Sequence, residues 1–246
     1  MYRVLDLFSG IGGFSLGLER TGGFRTVAFC EIDPFCRKVL KKHWPDVHCY
    51  EDVRTLTADA LARDGIGVDV ICGGFPCQDI SSAGLRAGLV GQRSGLWKEF
   101  ARLIGELRPS FVIVENVSAL LFTGAGEVLG DLAALGFDAE WQAIPASALG
   151  APHVRDRVWI VAHPNGGDMR TPWPAETQGR AASLFVYGAV ENARVETWRD
   201  VVSDVDSAVY GLPGTVDALR PLGNAVVPQV VELIGRAIMA VEATPI

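Results

Sequence analysis

The chain has 246 residues, of which 49% are hydrophobic and 21% charged, a balance typical of a folded globular protein and too apolar for a disordered one. Its 22 Lys and Arg residues are outnumbered by 29 Asp and Glu residues, which gives a net charge of −7. That sign excludes binding of a polyanion through bulk electrostatics, so any nucleic-acid site must be local. The sequence has neither a run of about 18 apolar residues nor a signal-peptide layout, and we expect a cytoplasmic protein without a membrane segment.

Strand and helix signals alternate through the first two thirds of the chain. A short apolar run at residues 4–8 precedes a glycine-rich turn, and residues 14–20 follow with helical spacing. The same alternation predicts strands at residues 26–29, 48–50, 68–72, 111–114, 137–144 and 158–162, and helices at residues 35–44, 96–107, 126–135 and 230–239. This order predicts an α/β fold, a mainly parallel, doubly wound, Rossmann-like sheet with helices on both faces.

Two segments depart from this alternation. Residues 79–96 contain four glycines and no sustained apolar period, which predicts a long loop of the kind that acts as a lid. The composition changes again near residue 164, where regular periods stop. We therefore predict a catalytic domain built from residues 1–163 and 220–246, and a small, irregular recognition region over residues 164–219.

Small and acidic residues follow the first three predicted strands. Ligands of doubly wound sheets lie beyond the carboxyl ends of the strands. Gly10 and Gly12 would let backbone N–H groups approach a ligand closely, Glu31 could accept hydrogen bonds from a ribose, and Asp52 could meet an exocyclic amine. The alternatives are a tight turn without a ligand and two solvated carboxylates.

A cysteine and an acid follow the next two strands. Cys77 lies at the start of the glycine-rich loop, where an exposed thiolate could act as a nucleophile, and Glu115 could place a carboxyl group beside it. A free cysteine is otherwise a small core hydrophobe, as we expect for Cys30, Cys36 and Cys72. The cysteines are odd in number and lack a C-x-x-C pair, so we expect reduced thiols, and no spacing fits a closed metal site, so we predict no bound metal.

Seven short segments together resemble the ordered motifs of the S-adenosylmethionine-dependent DNA (cytosine-5) methyltransferase family. They are DLFSGIGGF at residues 6–14, EID at 31–33, DV at 52–53, GFPCQ at 74–78, ENV at 115–117, RDR at 155–157 and GNAVVP at 223–228. The resemblance covers residues 1–163 and 220–241 and leaves the recognition region unmatched. Each motif alone is weak, but seven in the family's order are specific.

The resemblance implies an S-adenosyl-L-methionine site at the strand ends. Phe8 would stack on the adenine, Glu31 would bind the ribose, and Asp52 would bind the adenine amine. The remaining residues of this expected cofactor site are Gly10, Gly12, Ile32, Pro76 and Asn224.

The resemblance also implies the chemistry. Cys77 would add to C6 of a cytosine turned out of double-stranded DNA, Glu115 would hold N3 and the amine of that base, and Arg157 would hold its O2. Arg155 would support the site. The family further implies a monomer of phage or restriction-modification type, acting in the cytoplasm of a bacterial or phage-infected cell.

Two observations depart from the family's pattern, and the second keeps a rival function open. The family commonly has Gln at the position of His153, and residues 164–215 hold four Arg and no Lys against seven Asp and Glu. The same chemistry on RNA, or a catalytically silent cofactor-binding subunit, are the alternatives. A local basic patch on residues 86–108 would favour DNA, and its expected members are Arg86, Arg93, Lys98, Arg102 and Arg108.

Overall fold

The structure of the protein, a computed structural model, describes residues 1–76, 95–149, 151, 155–165 and 225–242. Two predicted site residues, Cys77 and Asn224, lie outside the described residues. So do residues 79–94 of the predicted loop and nearly all of the predicted recognition region. The predicted domain boundaries therefore stay a prediction.

A single sheet of seven strands organises the described part of the chain. The strands are β1 (Tyr2–Leu7), β2 (Phe24–Cys30), β3 (His48–Tyr50), β4 (Val70–Gly73), β5 (Phe111–Val117), β6 (Phe137–Pro145) and β7 (Asp156–Pro164). Their order across the sheet is β3-β2-β1-β4-β5-β7-β6, and the first five strands in this order pair in parallel. Strand β7 runs antiparallel to both β5 and β6. The predicted α/β class and the mainly parallel sheet are confirmed.

Seven α-helices lie within the described ranges. They are α1 (Gly13–Arg20), α2 (Pro34–His43), α3 (Ala58–Arg63), α4 (Gly95–Leu107), α5 (Leu120–Thr123), α6 (Ala125–Ala134) and α7 (Pro228–Glu242), with a 3₁₀ turn at Ala146–Leu149. The sequence predicts every one of them except α3 and α5. These two helices have six and four residues, too few to show a helical period.

The sheet carries a hydrophobic cluster on each face. Successive residues of a strand point to opposite faces: Leu5 belongs to the cluster with α4 and α6, and Val4 belongs to the cluster with α1 and α7. A Cβ at Gly13 would lie 2.5 Å from the carbonyl oxygen of Val226, so α1 and the approach to α7 are in close contact. The end of the chain therefore returns to the sheet, as its amphipathic pattern predicts.

The parallel strands place their carboxyl ends at one edge of the sheet. The connection after β1 leads to β2 on one side, and β4 lies on the other side of β1. This reversal is the topological switch point at which doubly wound sheets bind ligands. No helix within the described ranges is long and apolar enough to span a membrane.

Candidate functional site

A cavity of about 880 Å³ opens at the switch point between β1 and β4. Its volume falls within the range of small-molecule sites, roughly 300–1,000 Å³. Nine of the sequence-predicted site residues line it: Phe8, Gly10, Glu31, Ile32, Asp52, Pro76, Glu115, Arg155 and Arg157. The fold therefore brings the predicted cofactor and catalytic residues that it describes to one cavity, with a single exception.

That exception is Gly12. It precedes α1 with φ +89°, and a Cβ at this position would lie 2.6 Å from the ring of Trp44. Gly12 thus allows the start of α1 to pack against the residue that ends α2, and it is not among the described residues lining the cavity. A contact between Gly12 and the cofactor stays a prediction.

The turn after β1 forms the floor of the cavity through unusual backbone angles. Phe8 has φ +52°, a left-handed conformation that costs energy for a bulky residue, and its ring stacks on Phe100 with centroids 6.3 Å apart. Gly10 also has a positive φ, of +53°, and no atom lies within 4 Å of the place a Cβ would occupy. The backbone at Gly10 is therefore open to a ligand.

Glu31 is a buried carboxylate at the end of β2. Its Oε2 accepts a hydrogen bond of 2.7 Å from the Gly10 N–H, and its Oε1 accepts one of 2.8 Å from the Asp33 N–H. Asp33 itself caps α2 by accepting from the N–H groups of Phe35 and Cys36. These bonds fix the carboxylate beside the turn after β1, and each oxygen keeps acceptor capacity for a ligand hydroxyl.

Asp52 follows β3 and is paired with Arg54. The Arg54 Nη2 lies 2.6 Å from Oδ2 of Asp52, and the Arg54 Nε lies 2.9 Å from Oδ1. The hydrogen bond from Arg54 lowers the pKa of the Asp52 carboxyl. Asp52 is therefore held as an ionised acceptor, which suits an N–H donor such as an exocyclic amine.

Glu115 and Arg157 form an ion pair across antiparallel strands. The register pairs Val117 of β5 with Arg157 of β7, which places Arg157 diagonally across from Glu115 on the same face of the sheet. The Arg157 Nε lies 2.9 Å from the Glu115 Oε1, and the Glu115 side chain is only 10% exposed. The pair lies at the cavity wall rather than in bulk solvent.

Burial raises the pKa of Glu115, while the charges of Arg157 and Arg155 act in the opposite direction. Because the effect of burial exceeds that of the two arginines, this carboxyl group holds a proton more readily than a solvated glutamate does. It can then donate a hydrogen bond to a ring nitrogen of a bound base. This is the property required of an acid that offsets charge developing on a heterocycle.

The turn after β4, which leads to Cys77, is held against β5. Gly74 lies so close to Glu115 that a Cβ there would be 2.8 Å from the Glu115 Oε2. The Asn116 Nδ2 donates a hydrogen bond of 3.1 Å to the carbonyl oxygen of Phe75. These two contacts fix the backbone up to Pro76, and Asn116 is a site residue whose role the sequence analysis missed.

Arg155 connects the start of β7 to the segment before α7. Its Nη2 donates a hydrogen bond of 2.7 Å to the carbonyl oxygen of Ala225, and its backbone has φ +31°. Because Ala225 and Val226 also line the cavity, Arg155 closes its wall on this side. This placement is compatible with the supporting role that the resemblance implies.

Two residues of the predicted basic patch on residues 86–108, Arg102 and Arg108, make contacts within the protein, and the patch itself stays a prediction. Arg102 is paired with both Glu99 and Glu106. Arg108, at the far end of α4, donates to the carbonyl oxygen of Leu135 and lies over the Phe137 ring. Charges placed three and four residues apart on a helix pair with each other, so the charge of Arg102 is balanced within α4.

Other residues of the cavity were not predicted. Arg54 and Glu51 flank Asp52, and Leu96 and Glu99 come from the first turns of α4. The sequence pattern of residues 79–96 predicted a loop and did not indicate that α4 would begin at the cavity.

The free cysteines Cys30 and Cys72 are buried, as the sequence predicts. Burial raises the pKa of the Cys30 thiol to about 12 and so opposes its deprotonation.

Comparisons with known proteins identify a family that matches this chain. The family model described as C-5 cytosine-specific DNA methylase matches residues 2–211. The Type II methyltransferase M2.BsuMI of Bacillus subtilis is 36% identical over 65% of this chain and 41% of its own length. The Type II methyltransferase M.AquIA of Picosynechococcus is 29% identical over 89% of this chain and 93% of its own length.

A solved structure agrees as well. The crystal structure of a candidate DNA modification methyltransferase encoded within a prophage of E. coli superposes with a TM-score of 0.56 and is 30% identical, covering 67% of this chain and 47% of that one. This chain spans about half the length of the first curated relatives it matches. Since the family model accounts for most of the chain and its motifs line one cavity, the chain belongs to the C-5 cytosine-specific DNA methylase family.

Proposed function

We propose that this protein transfers a methyl group from S-adenosyl-L-methionine to C5 of a cytosine in double-stranded DNA, as part of a restriction-modification or phage system. The observation that carries the proposal is the convergence of Glu31, Asp52 and the Glu115–Arg157 pair on one cavity at the switch point. The Type II methyltransferase names of its relatives support the same reaction.

The residues around the cavity fit S-adenosyl-L-methionine. The open backbone at Gly10 and the buried Glu31 carboxylate form a cradle at the end of β1 and β2, and the ionised Asp52 faces the same cavity. Phe8 and Pro76 supply apolar walls. When bound there, this cofactor supplies a methyl group on a positively charged sulfur, which makes the methyl electrophilic.

The chain's own residues would then activate the base. C5 of cytosine is a poor nucleophile until C6 is attacked, so the Cys77 thiolate adds to C6 and makes an enamine. Glu115 donates a hydrogen bond to N3 and so offsets the charge that forms there, while Arg157 holds O2. After methylation at C5, a base removes the C5 proton and the Cys77 thiolate leaves from C6, which restores the C5–C6 double bond. The cytosine must leave the duplex for this attack.

The test is bisulfite sequencing of DNA from cells that express the protein, because this readout reports activity, base and sequence context together. We expect protected cytosines in a defined context, and none with Cys77→Ser at equal expression. A Cys77→Ser protein that still transfers labelled methyl groups to DNA would contradict the covalent mechanism.

A second candidate is a cofactor-binding subunit without catalysis of its own. The acidic balance of residues 164–215 motivates it, because a polyanion is repelled by such a segment. This candidate predicts S-adenosyl-L-methionine binding without turnover on any nucleic acid. Comparing methyl transfer to duplex DNA and to transfer RNA separates it from the DNA enzyme and from an RNA enzyme of the same chemistry.

A further inference from the structure

One wall of the cavity is built from two segments that are distant in sequence. The turn after β3 supplies Asp52, Val53 and Arg54, and the first turns of α4 supply Leu96 and Glu99. The turn is closed by hydrogen bonds from the N–H groups of residues 55 and 56 to the carbonyl oxygen of residue 52. The position of Asp52 in the cavity therefore depends on how this turn is attached to α4.

Arg102 makes that attachment. Its Nη2 donates hydrogen bonds of 3.0 Å to the carbonyl oxygen of Val53 and 2.8 Å to that of Leu56. The Val53 and Leu56 side chains are buried in the cluster that α4 shares. A guanidinium that bridges two carbonyls of one turn fixes both the position and the orientation of the turn.

The guanidinium of Arg102 is itself fixed from two sides. Its Nε lies 2.8 Å from Glu99 and its Nη1 lies 2.6 Å from Glu106. The other oxygen of Glu106 accepts a hydrogen bond of 2.9 Å from the N–H of Ala58, at the start of α3. Four donor contacts in fixed directions leave this side chain little freedom to move or to bind a phosphate.

We propose that Arg102 is a positioning residue for the adenine end of the adenosyl ligand, acting through the turn that carries Asp52. The proposal rests on the proposed function, in which Asp52 receives the exocyclic amine. Arg102 is not among the described residues lining the cavity, so its effect is indirect. Without it, the turn keeps the buried Val53 and Leu56 side chains but loses two hydrogen bonds to α4, and the Asp52 carboxylate is positioned less strictly.

The test measures binding of S-adenosylhomocysteine by calorimetry, which requires no catalysis. We expect the dissociation constant to rise at least tenfold in both Arg102→Ala and Arg102→Lys, because a lysine ammonium cannot bridge two carbonyls and two carboxylates. The matched control is Arg236→Ala, which removes an exposed helical pair with Glu232 on α7 and should change the constant less than twofold.

A second readout separates positioning from general stability. The wild-type protein should prefer the 6-amino ligand over its 6-oxo (inosyl) analogue, and Arg102→Lys should lose most of this preference. In an Asp52→Asn background, the Arg102 substitution should add little further loss for the 6-amino ligand. The proposal would be overturned if Arg102→Lys kept the wild-type preference for the 6-amino ligand. It would also be overturned if the losses of affinity caused by the Asp52 and Arg102 substitutions were additive.

The outcomes also distinguish a failure of the positioning role from a failure of the proposed function. If the wild-type protein fails to bind S-adenosylhomocysteine, the proposed function is wrong and this inference falls with it. If the wild-type protein binds and the Arg102 variants bind equally well, only the positioning role is wrong. Arg102→Lys keeps the charge and the aliphatic stem, so it serves as the folded variant should Arg102→Ala unfold.

Discussion

Three carboxyl groups at the carboxyl ends of the strands lie in different electrostatic environments. Glu31 receives two backbone N–H groups, and Asp52 receives a guanidinium at close range. Glu115 is buried, and its pKa rises despite Arg157. The proposed reaction needs a hydrogen-bond acceptor for a ribose, an ionised acceptor for an amine and a carboxyl group that can carry a proton.

The pair of Glu115 and Arg157 predicts a pH dependence. Arg157 lowers the pKa of Glu115 against the effect of burial, so Arg157→Gln should raise that pKa further, because one close positive charge is lost. If the protonated form is active, activity is present below this pKa and is lost as pH rises through it. The alkaline limb of the single-turnover methylation rate should therefore move to higher pH, with a lower maximum.

Single-turnover rates between pH 6 and 10 measure this shift, with Arg236→Gln as a variant distant from the cavity. An alkaline limb that stays in place or moves to lower pH would contradict a protonated Glu115.

Asp6 predicts a pH dependence of stability. It is fully buried in β1, accepts a hydrogen bond of 2.7 Å from Ser15, and has no partner for Oδ1 within the described structure. Burial raises its pKa to about 8, so the folded state retains a proton that the unfolded state releases near pH 4, at the usual pKa of about 3.9. The contribution of this proton to the stability of the folded state is complete below that pH and is lost as pH rises towards 8. Over this range the free energy of unfolding falls by at most about 1.4 kcal/mol per pH unit.

Asp6→Asn cannot titrate and should remove this slope. The measurement is the free energy of unfolding in urea at pH 5, 6, 7 and 8, and Asp138→Asn on the exposed side of β6 is the control. Equal slopes in the Asp6 variant and the wild type would disprove a proton on Asp6.

At the scale of elements, strand direction decides which side chains meet. Parallel strands bring their last residues to one edge of the sheet, and an antiparallel strand brings its first residues there. Because β7 is antiparallel to β5, Arg155 and Arg157 at its start reach the edge where β4 and β5 end. A parallel β7 would carry the same arginines to the opposite edge, away from Glu115.

The contact between α1 and α7 depends on the absence of a side chain at Gly17. A Cβ there would lie 2.4 Å from the Pro228 carbonyl oxygen and 2.6 Å from the Val231 Cβ. Gly17→Ala should therefore lower the free energy of unfolding by about 1–3 kcal/mol, the usual cost of overpacking. Gly130→Ala is the matched control, since nothing lies within 4 Å of its Cβ position in α6.

The control should instead stabilise the protein by about 0.5–1 kcal/mol, because alanine favours a helix interior over glycine. Thermal and urea unfolding compare the two variants with the wild type. A Gly17→Ala protein as stable as Gly130→Ala would show that α7 does not pack closely on α1.

At the scale of the whole molecule, charge and cavity point to different kinds of ligand. The net charge of −7 opposes bulk attraction of DNA, and two members of the predicted basic patch are engaged within the protein. The cavity, in contrast, combines apolar walls with a few fixed polar groups, as small-molecule sites do. The adenosyl ligand is therefore expected to bind without DNA.

The corresponding prediction is ligand-dependent stability. S-adenosylhomocysteine at 100 times its dissociation constant should add about 2.7 kcal/mol to the free energy of unfolding, which raises the melting temperature by about 5–10 °C for a chain of this size. Differential scanning fluorimetry across a ligand series measures the shift. Glu31→Ala should reduce it, and a wild-type protein whose melting temperature does not change would exclude this ligand from the cavity.

Much of the architecture could be predicted because it depends on local periodicity. Strands such as β1 and β5, and helices such as α4 and α7, follow apolar patterns long enough to read from the chain. The four-residue α5 does not, since it is shorter than the pattern that would indicate it. Gly12 shows a different limit, because the spacing of a glycine-rich turn does not tell which glycine contacts a ligand and which packs against Trp44.

The sequence by itself determined the fold class, the order of the motifs and the types of side chain at the strand ends, because these depend on residue identity and near-neighbour spacing. The tertiary structure alone decided which of those side chains meet. Residues over 40 positions apart are joined by the diagonal ion pair of Glu115 and Arg157. The same holds for the hydrogen bonds from Arg102 to Val53 and Leu56. Such contacts are set by strand direction and register, which no local pattern encodes.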